Sequence, residues 1–169
     1  MHFQEWWTRH RAALPALAFD FVGASSAVPA PGVVAALADA DVVLLAPSNP
    51  VVSIGPILAI PGLADAVRAT SAPVVGVSPI IAGAVVRGMA DACLTAIGVS
   101  TSADAVALHY GVRSAGGVID GWLVDTADDA ALAPVASAGI TARAVPLWLS
   151  DDATRAQVAR DAVELALSL

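Results

Sequence analysis

The chain has 169 residues, 57% of them hydrophobic and 14% charged, which excludes a disordered chain and is enough for one domain with a sizeable core. Its net charge of −7, with only 8 Lys+Arg, provides no cluster of cations for a nucleic-acid surface. An anionic ligand would have to be met by backbone N–H groups, helix N-termini or a metal ion. Cys93 is the single cysteine, so no intrachain disulfide is possible and a reducing cytoplasm fits.

In chain order, "MHFQEWWTRHRAAL" carries charges and two tryptophans where a signal peptide would be apolar. It reads as the tail of a helix ended by Pro15. Leu17–Gly23 is a strand candidate and Val33–Asp39 a short helix. "DVVLLAP" is a strand buried on both faces. The run from Val42 to Ala64 has no charged side chain, yet Pro47, Pro50, Pro56 and Pro61 interrupt it, and Ser48, Asn49 and Ser53 would need solvation in lipid. A membrane span is therefore not expected.

The pattern then repeats. "GLADAVRAT" predicts a helix and "PVVGVSP" a second buried strand. "AGAVVRGMADACLTAIG" and "STSADAVALHYG" predict helices, the latter with Ser102 as N-cap and Gly111 just past its end. "IDGWLVD" is a strand, "DDAALAPVASAG" a helix and "ITARAVPLWL" a strand. Ser150 is the expected N-cap of the last helix, Asp151 and Asp152 lie in its first turn, and Val158, Ala162, Leu165 and Leu169 form its apolar stripe. Alternating strands and helices predict an α/β, Rossmann-like fold: a mostly parallel sheet with helices on both faces, as one domain or part of one. The abundance of Ala, Val and Gly suits helices packed close to a sheet.

In open α/β sheets, ligands sit beyond the carboxyl ends of the strands. "VVLLAPSNP" delivers Ser48 and Asn49 to that edge, and "PVVGVSPII" delivers Ser78. Ser53 is a candidate N-cap for "IGPILAI", whose first-turn N–H groups would form an anion site that Gly55 lets a phosphate approach. The structural alternative is that Ser48, Asn49 and Ser53 complete a tight turn and a helix cap. Gly83 and Arg87 follow the second strand. Arg87 has the reach for a phosphate and Asp91 for a hydroxyl or hydrated metal ion, or the two form a solvated i, i+4 pair. Trp6 and Trp7 offer a stacking surface or helix packing. Cys93 is a nucleophile only with a base beside it, and otherwise a small buried hydrophobe. His109 reads as a surface residue at a helix C-terminus. The histidines lack zinc-ligand spacing, and no phosphate-loop or serine-elbow motif is present.

Three stretches, "APSNPVVSIGPILAIPGL", "APVVGVSPIIAG" and "RGMADACLTAIGVSTSADAVALHYG", resemble the transferase family that builds the phospho linkage of coenzyme F-420. "HFQEWWTRHRAALP" and "WLVDTADD" extend the resemblance over nearly the whole chain. It implies that residues 1–169 are the C-terminal half of a single Rossmann-like transferase domain. That domain moves a phosphoenolpyruvyl or 2-phospholactyl group from its guanosine diphosphate ester to the hydroxyl of the deazaflavin Fo, releasing GMP. "RGMADACL", with Ala84 and Arg87 where other branches carry lysines, resembles the actinobacterial branch and favours the phosphoenolpyruvyl substrate. Ala82 stands where the family's usual "SPIIGG" has a glycine, a mild departure. The resemblance places a Gly-rich phosphate loop and the acidic ligands of a Mg²⁺ ion in an N-terminal half outside this chain, and implies a cytoplasmic homodimer without nucleic-acid or membrane partners.

Ser48, Asn49, Ser53, Ser78, Gly83 and Arg87 are accordingly expected to bind substrate, with no metal ligand in this chain and no catalytic base assigned. Asn49→Ala is expected to weaken ligand binding with little loss of stability. Two other readings stand beside this one: a non-catalytic nucleotide- or nucleotide-sugar-binding module of a related family, and an inactive fragment.

Overall fold

The computed structural model describes all residues from Met1 to Leu169. In chain order the elements are α1 (Val33–Ala38), β1 (Val43–Leu45), α2 (Gly55–Leu58), α3 (Leu63–Ala69) and β2 (Val74–Val77). The short strands β3 (Ile80–Ile81) and β4 (Ala84–Val85) follow, then α4 (Ala90–Ala96), α5 (Ala103–Tyr110), β5 (Gly121–Asp125), α6 (Leu132–Ser137), β6 (Thr141–Val145) and α7 (Asp152–Ala166). The main sheet is parallel throughout, in the order β1-β2-β5-β6, while β3 and β4 form a separate antiparallel hairpin.

Period-2 alternation explains the three layers. Val74, Trp122 and Val124 point into one core with Leu94, Val106 and Val135. Val75, Val77 and Leu123 point into the other with Val158, Ala162 and Leu165 of α7. β2 and β5 are buried along their whole length, as parallel strands covered on both faces must be. Gly76 pairs with Trp122 across β2 and β5, and a Cβ there would lie 2.4 Å from the indole Cζ3. The buried indole N–H donates to the Ala103 carbonyl at 3.0 Å, which ties α5 to the sheet.

At the opposite end of the strands, Arg113 is clasped by Asp120 at 2.8 Å and donates to the Thr70 and Ala72 carbonyls, while Asp120 also accepts the Val74 N–H. This mostly buried cluster fixes the entry of β2 against the α5–β5 connection.

Several expectations are corrected. Leu17–Gly23 is not a strand: Leu17 is 91% and Val22 93% exposed, and no neighbouring strand offers this segment a ladder. The N-terminal helix is a single wide turn, Glu5–Arg9, ended by Arg11 and Ala12 at positive φ before Pro15 is reached. β1 is an edge strand with Leu44 41% exposed, so its continuous apolar run does not mean burial on both faces. The uncharged run from Val42 to Ala64 divides among β1, a turn, a wide helical turn, α2 and the start of α3. No single helix is long and apolar enough to cross a membrane.

The helix expected over Ala82–Gly98 begins only at Ala90. Its first residues belong instead to the β3–β4 hairpin, whose two-residue turn places Ala82 at φ +52° and Gly83 at φ +69°. Positive φ at both positions defines the tight turn that matches strand twist, and the β-branched flanks Ile80, Ile81 and Val85 favour extended backbone. β6 stops at Val145, before Pro146, and α6 is preceded by a 3₁₀ segment over Thr126–Ala131. Ser102 caps α5 as expected, with Gly111 at φ +71° beyond it.

The N-cap of α7 is Asp151 rather than Ser150. Its carboxylate accepts the Thr154 N–H at 2.8 Å while the Thr154 hydroxyl accepts the Asp151 N–H, a reciprocal capping box. The Thr154 N–H, then the Thr154 hydroxyl, hold the Asp151 carboxyl below its ordinary pKa. The ionised form is therefore favoured in the fold, so the cap's contribution is present above the ordinary Asp pKa and lost as pH falls through the lowered value. Amide exchange in the first turn of α7 is expected to quicken in Asp151→Ala at neutral pH, and the difference from wild type to vanish under acid conditions.

Candidate functional site

The carboxyl ends of β1 and β2 open onto one edge. After β1, Asn49 organises the chain. Its Oδ1 accepts the N–H groups of Val51 at 2.9 Å and Val52 at 3.2 Å, and its carbonyl accepts those of Ser53 and Ile54, both at 3.1 Å. Gly55 N–H closes the wide turn Pro50–Ile54 on the Pro50 carbonyl. Asn49, not Ser53, is thus the cap, and the first-turn N–H groups expected to face an anion are already occupied. Gly55 has a packing role: a Cβ would lie 3.2 Å from the Pro50 oxygen and 3.4 Å from the Phe21 ring. What the turn presents outward is the hydroxyls of Ser48 and Ser53, neither of which has a hydrogen-bond partner in the protein. Removing the cap is expected to cost about 1 kcal/mol, so Asn49→Ala should lower the urea midpoint, contrary to the small stability effect anticipated from sequence.

After β2, Ser78 is buried and its hydroxyl both donates to the Ile80 carbonyl and accepts the Ile80 N–H. It shapes the turn into the hairpin. At the hairpin tip the Asp128 carboxylate accepts the N–H groups of Ala82 at 2.8 Å and Gly83 at 3.2 Å. The Gly83 N–H is therefore turned towards Asp128. Arg87 lies on the irregular stretch between β4 and α4, not on a helix, and the alternative of a pair with Asp91 does not form. Arg87 is exposed and makes no ion pair or side-chain hydrogen bond.

Two clefts meet here. The first, of about 500 Å³, has Ser78, Val85, Trp148 and Arg155 in its lining; the second, of about 710 Å³, has Trp7, Ser48, Ser53 and Gly88. Pro47, Asn49 and Arg87 line both, so they form the ridge between them. The edge thus assembles Ser48, Asn49, Ser53, Ser78 and Arg87, while Gly83 lines neither cleft. Trp6 is buried against Phe19 at 5.6 Å between ring centroids and donates to the Leu14 carbonyl, so it is packing. Trp7 turns the other way, into the second cleft beside Phe3.

Sequence reasoning missed Trp148 and Arg155. The available signal was a tryptophan shortly after the last strand, at the same carboxyl edge. Asp125, buried at the end of β5, accepts the Leu147 N–H at 2.8 Å and so fixes the segment that carries Trp148. Arg155 is paired with Asp152 at 2.7 Å.

The remaining candidates do not join the site. Burial pushes the Cys93 thiol above its ordinary pKa, with the Asn49 side chain opposing and the Asp91 charge reinforcing, so the thiol stays protonated and fits the core. His109 is surface-exposed on α5, and what packing it has lowers its pKa. No group of three or more His, Cys, Asp or Glu side chains is placed to hold a metal ion, and neither cleft is lined by a carboxylate. The donors at this edge, hydroxyls, an amide and a guanidinium, suit an anionic ligand, not a Mg²⁺ ion.

The profile of the family described as 2-phospho-L-lactate transferase CofD matches residues 1–159. A phosphoenolpyruvate transferase of Thermobifida fusca (strain YX) is 60% identical over 169 residues, covering 100% of this chain and 49% of its own length. One from Kitasatospora aureofaciens is 59% identical over 166 residues, 98% of this chain and 50% of its own. One from Mycobacterium sp. (strain KMS) is 57% identical over 166 residues, 98% of this chain and 49% of its own. The chain spans about half the length of the curated relatives it matches.

Proposed function

The chain belongs to the 2-phospho-L-lactate transferase CofD family, and on that premise we propose that it is the C-terminal half of a transferase domain of coenzyme F-420 biosynthesis. In this reading the hydroxyl of the deazaflavin Fo attacks the phosphorus that bears the enolpyruvyl group of guanylylated phosphoenolpyruvate. The new P–O bond forms as the bond to the GMP oxygen breaks, GMP leaves, and the hydroxyl proton passes to solvent. The relatives' name, phosphoenolpyruvate transferase, supports the three-carbon group.

The observation that carries the reading is the ridge. An unpaired arginine and an asparagine separate two clefts at the strand carboxyl edge, and two unpartnered serine hydroxyls lie beside them. A transferase must hold two reactants against each other, and a wall common to two clefts is where the transferred phosphoryl would pass. Arg87 meets the charge that develops there, Ser48 and Ser53 donate to phosphoryl oxygens, and Asn49 and Ser78 keep the turns in place. The chain's own residues do not fit Mg²⁺; in the proposal the ion's carboxylate ligands lie in the remaining length of the transferase, and it would neutralise phosphate charge. A homodimer in the reducing cytoplasm completes the reading, the latter supported by the lone reduced Cys93.

The test is mass analysis of the reaction of the protein at its relatives' full length with Fo, Mg²⁺ and guanylylated phosphoenolpyruvate. The proposal predicts one GMP for each deazaflavin that gains a phosphoenolpyruvyl group. A nucleotide-binding module would hold the donor and return it unchanged.

A further inference from the structure

We infer that Trp148 is the platform on which the planar ring system of a heteroaromatic substrate stacks in the first cleft; this deepens the proposed function and rests on it for the identity of the ring. Trp148 is 58% exposed, although the neighbouring Leu147 is buried and pinned by the Asp125 carboxylate. An indole on an anchored segment loses little conformational freedom when a ring lies on it. The cleft it lines has aliphatic residues, Ile81 and Val85 from the β3–β4 hairpin and Val86 just after it, and its volume of about 500 Å³ is in the range of small-molecule sites. Asn49 and Arg87, shared with the second cleft, form one polar boundary of this cleft, and Ser150 and Arg155 also line it. The Asn49–Arg87 boundary fits the polar arm of a ligand whose flat body lies on Trp148. Stacking on an aromatic face tolerates different rings, so Trp148 contributes affinity for ring systems as a class.

The experiment compares Trp148→Leu, which keeps apolar bulk without a ring, with Trp148→Phe, which keeps a ring, in the full-length protein. Binding of Fo and of riboflavin is followed by the fluorescence of each, and GMP binding serves as the donor-side control. The expected result is about tenfold weaker ring binding in Trp148→Leu, recovery to within about threefold of wild type in Trp148→Phe, and unchanged GMP binding and unfolding temperature in both. Ring binding in Trp148→Leu equal to wild type overturns the inference, as does failure of both rings to bind the wild-type protein. Trp148-dependent ring binding without GMP release would leave this subsite standing and sink the transferase reading. GMP release with an unaltered acceptor KM in Trp148→Leu would do the reverse.

Discussion

If the proposed reaction is right, Arg87→Ala is expected to lower kcat/KM for GMP release by about a hundredfold or more while leaving the unfolding temperature within a degree or two of wild type. The magnitude is that of removing one preorganised donor from developing transition-state charge. The selectivity follows from the side chain's surroundings. It is exposed, makes no ion pair or hydrogen bond, and lines both clefts, so the fold has little to lose and a phosphoryl ligand much. Arg113 is the internal contrast: it has Asp120 and two carbonyls as partners at the far end of the sheet, and its replacement should cost stability. Arg87→Lys retains the charge and loses the planar fork, and should recover only part of the activity. Steady-state GMP release with thermal unfolding as control decides the matter; a change under threefold in Arg87→Ala would remove the arginine from the chemistry.

Gly117→Ala is expected to be the most damaging single methyl in the chain, at about 3 kcal/mol or more. A Cβ on Gly117 would lie 2.1 Å from the carbonyl carbon and oxygen of Gly111, and backbone atoms cannot swing aside as a side chain can. Gly111 has no freedom to yield, since its φ of +71° and ψ of 156° are a glycine-only conformation. The same loop places Val112 beside Ile119 and leads into β5, so the displacement would reach the sheet. Gly116→Ala is the control: its φ is +90°, yet nothing lies within 4 Å of the added methyl, and only the local strain should be felt. Urea unfolding of the two variants measures the difference. Equal midpoints would show that the Gly111–Gly117 approach relaxes freely.

The layers of the fold were legible because burial writes itself into period. The runs around Val74–Val77 and Gly121–Asp125 have to be central parallel strands, and the stripe Val158, Ala162 and Leu165 has to face them. What periodicity cannot report is whether a neighbour exists. Leu17–Gly23 has the apolar content of a strand but no ladder to join, and the apolar run at Val43–Leu45 reads as doubly buried although one of its edges is open. The hairpin hidden inside an apparent helix turns on Ala82, a good helix former held at positive φ because Asp128, far away in sequence, grips its N–H. Long-range contacts of that kind are invisible to local propensity.

The placement of the candidate residues at one edge was legible for the same reason and to the same limit. Ser48, Asn49 and Ser78 sit just beyond the ends of β1 and β2, and Ser53 and Arg87 on the segments that follow, so topology brings them to one edge. Their individual roles depend on hydrogen bonds that spacing does not specify. Asn49 is occupied with four backbone N–H groups, and Ser78 closes on Ile80. Trp148 escaped because it lies on the last strand's exit, away from the serine-bearing turns, with Asp125 of another strand holding the segment in place.

The most direct test of the account asks whether this chain is one wall of a two-part site. GMP release is measured with Fo, Mg²⁺ and guanylylated phosphoenolpyruvate, first with residues 1–169 alone, then with the remaining length of the transferase added as a separate chain. The account predicts no release above the protein-free control in the first case and release in the second, lowered about a hundredfold or more by Arg87→Ala in the added pair. Release by residues 1–169 alone at the rate of the pair would contradict it, because the ridge and its two clefts would then be sufficient without the half proposed to hold the metal ion.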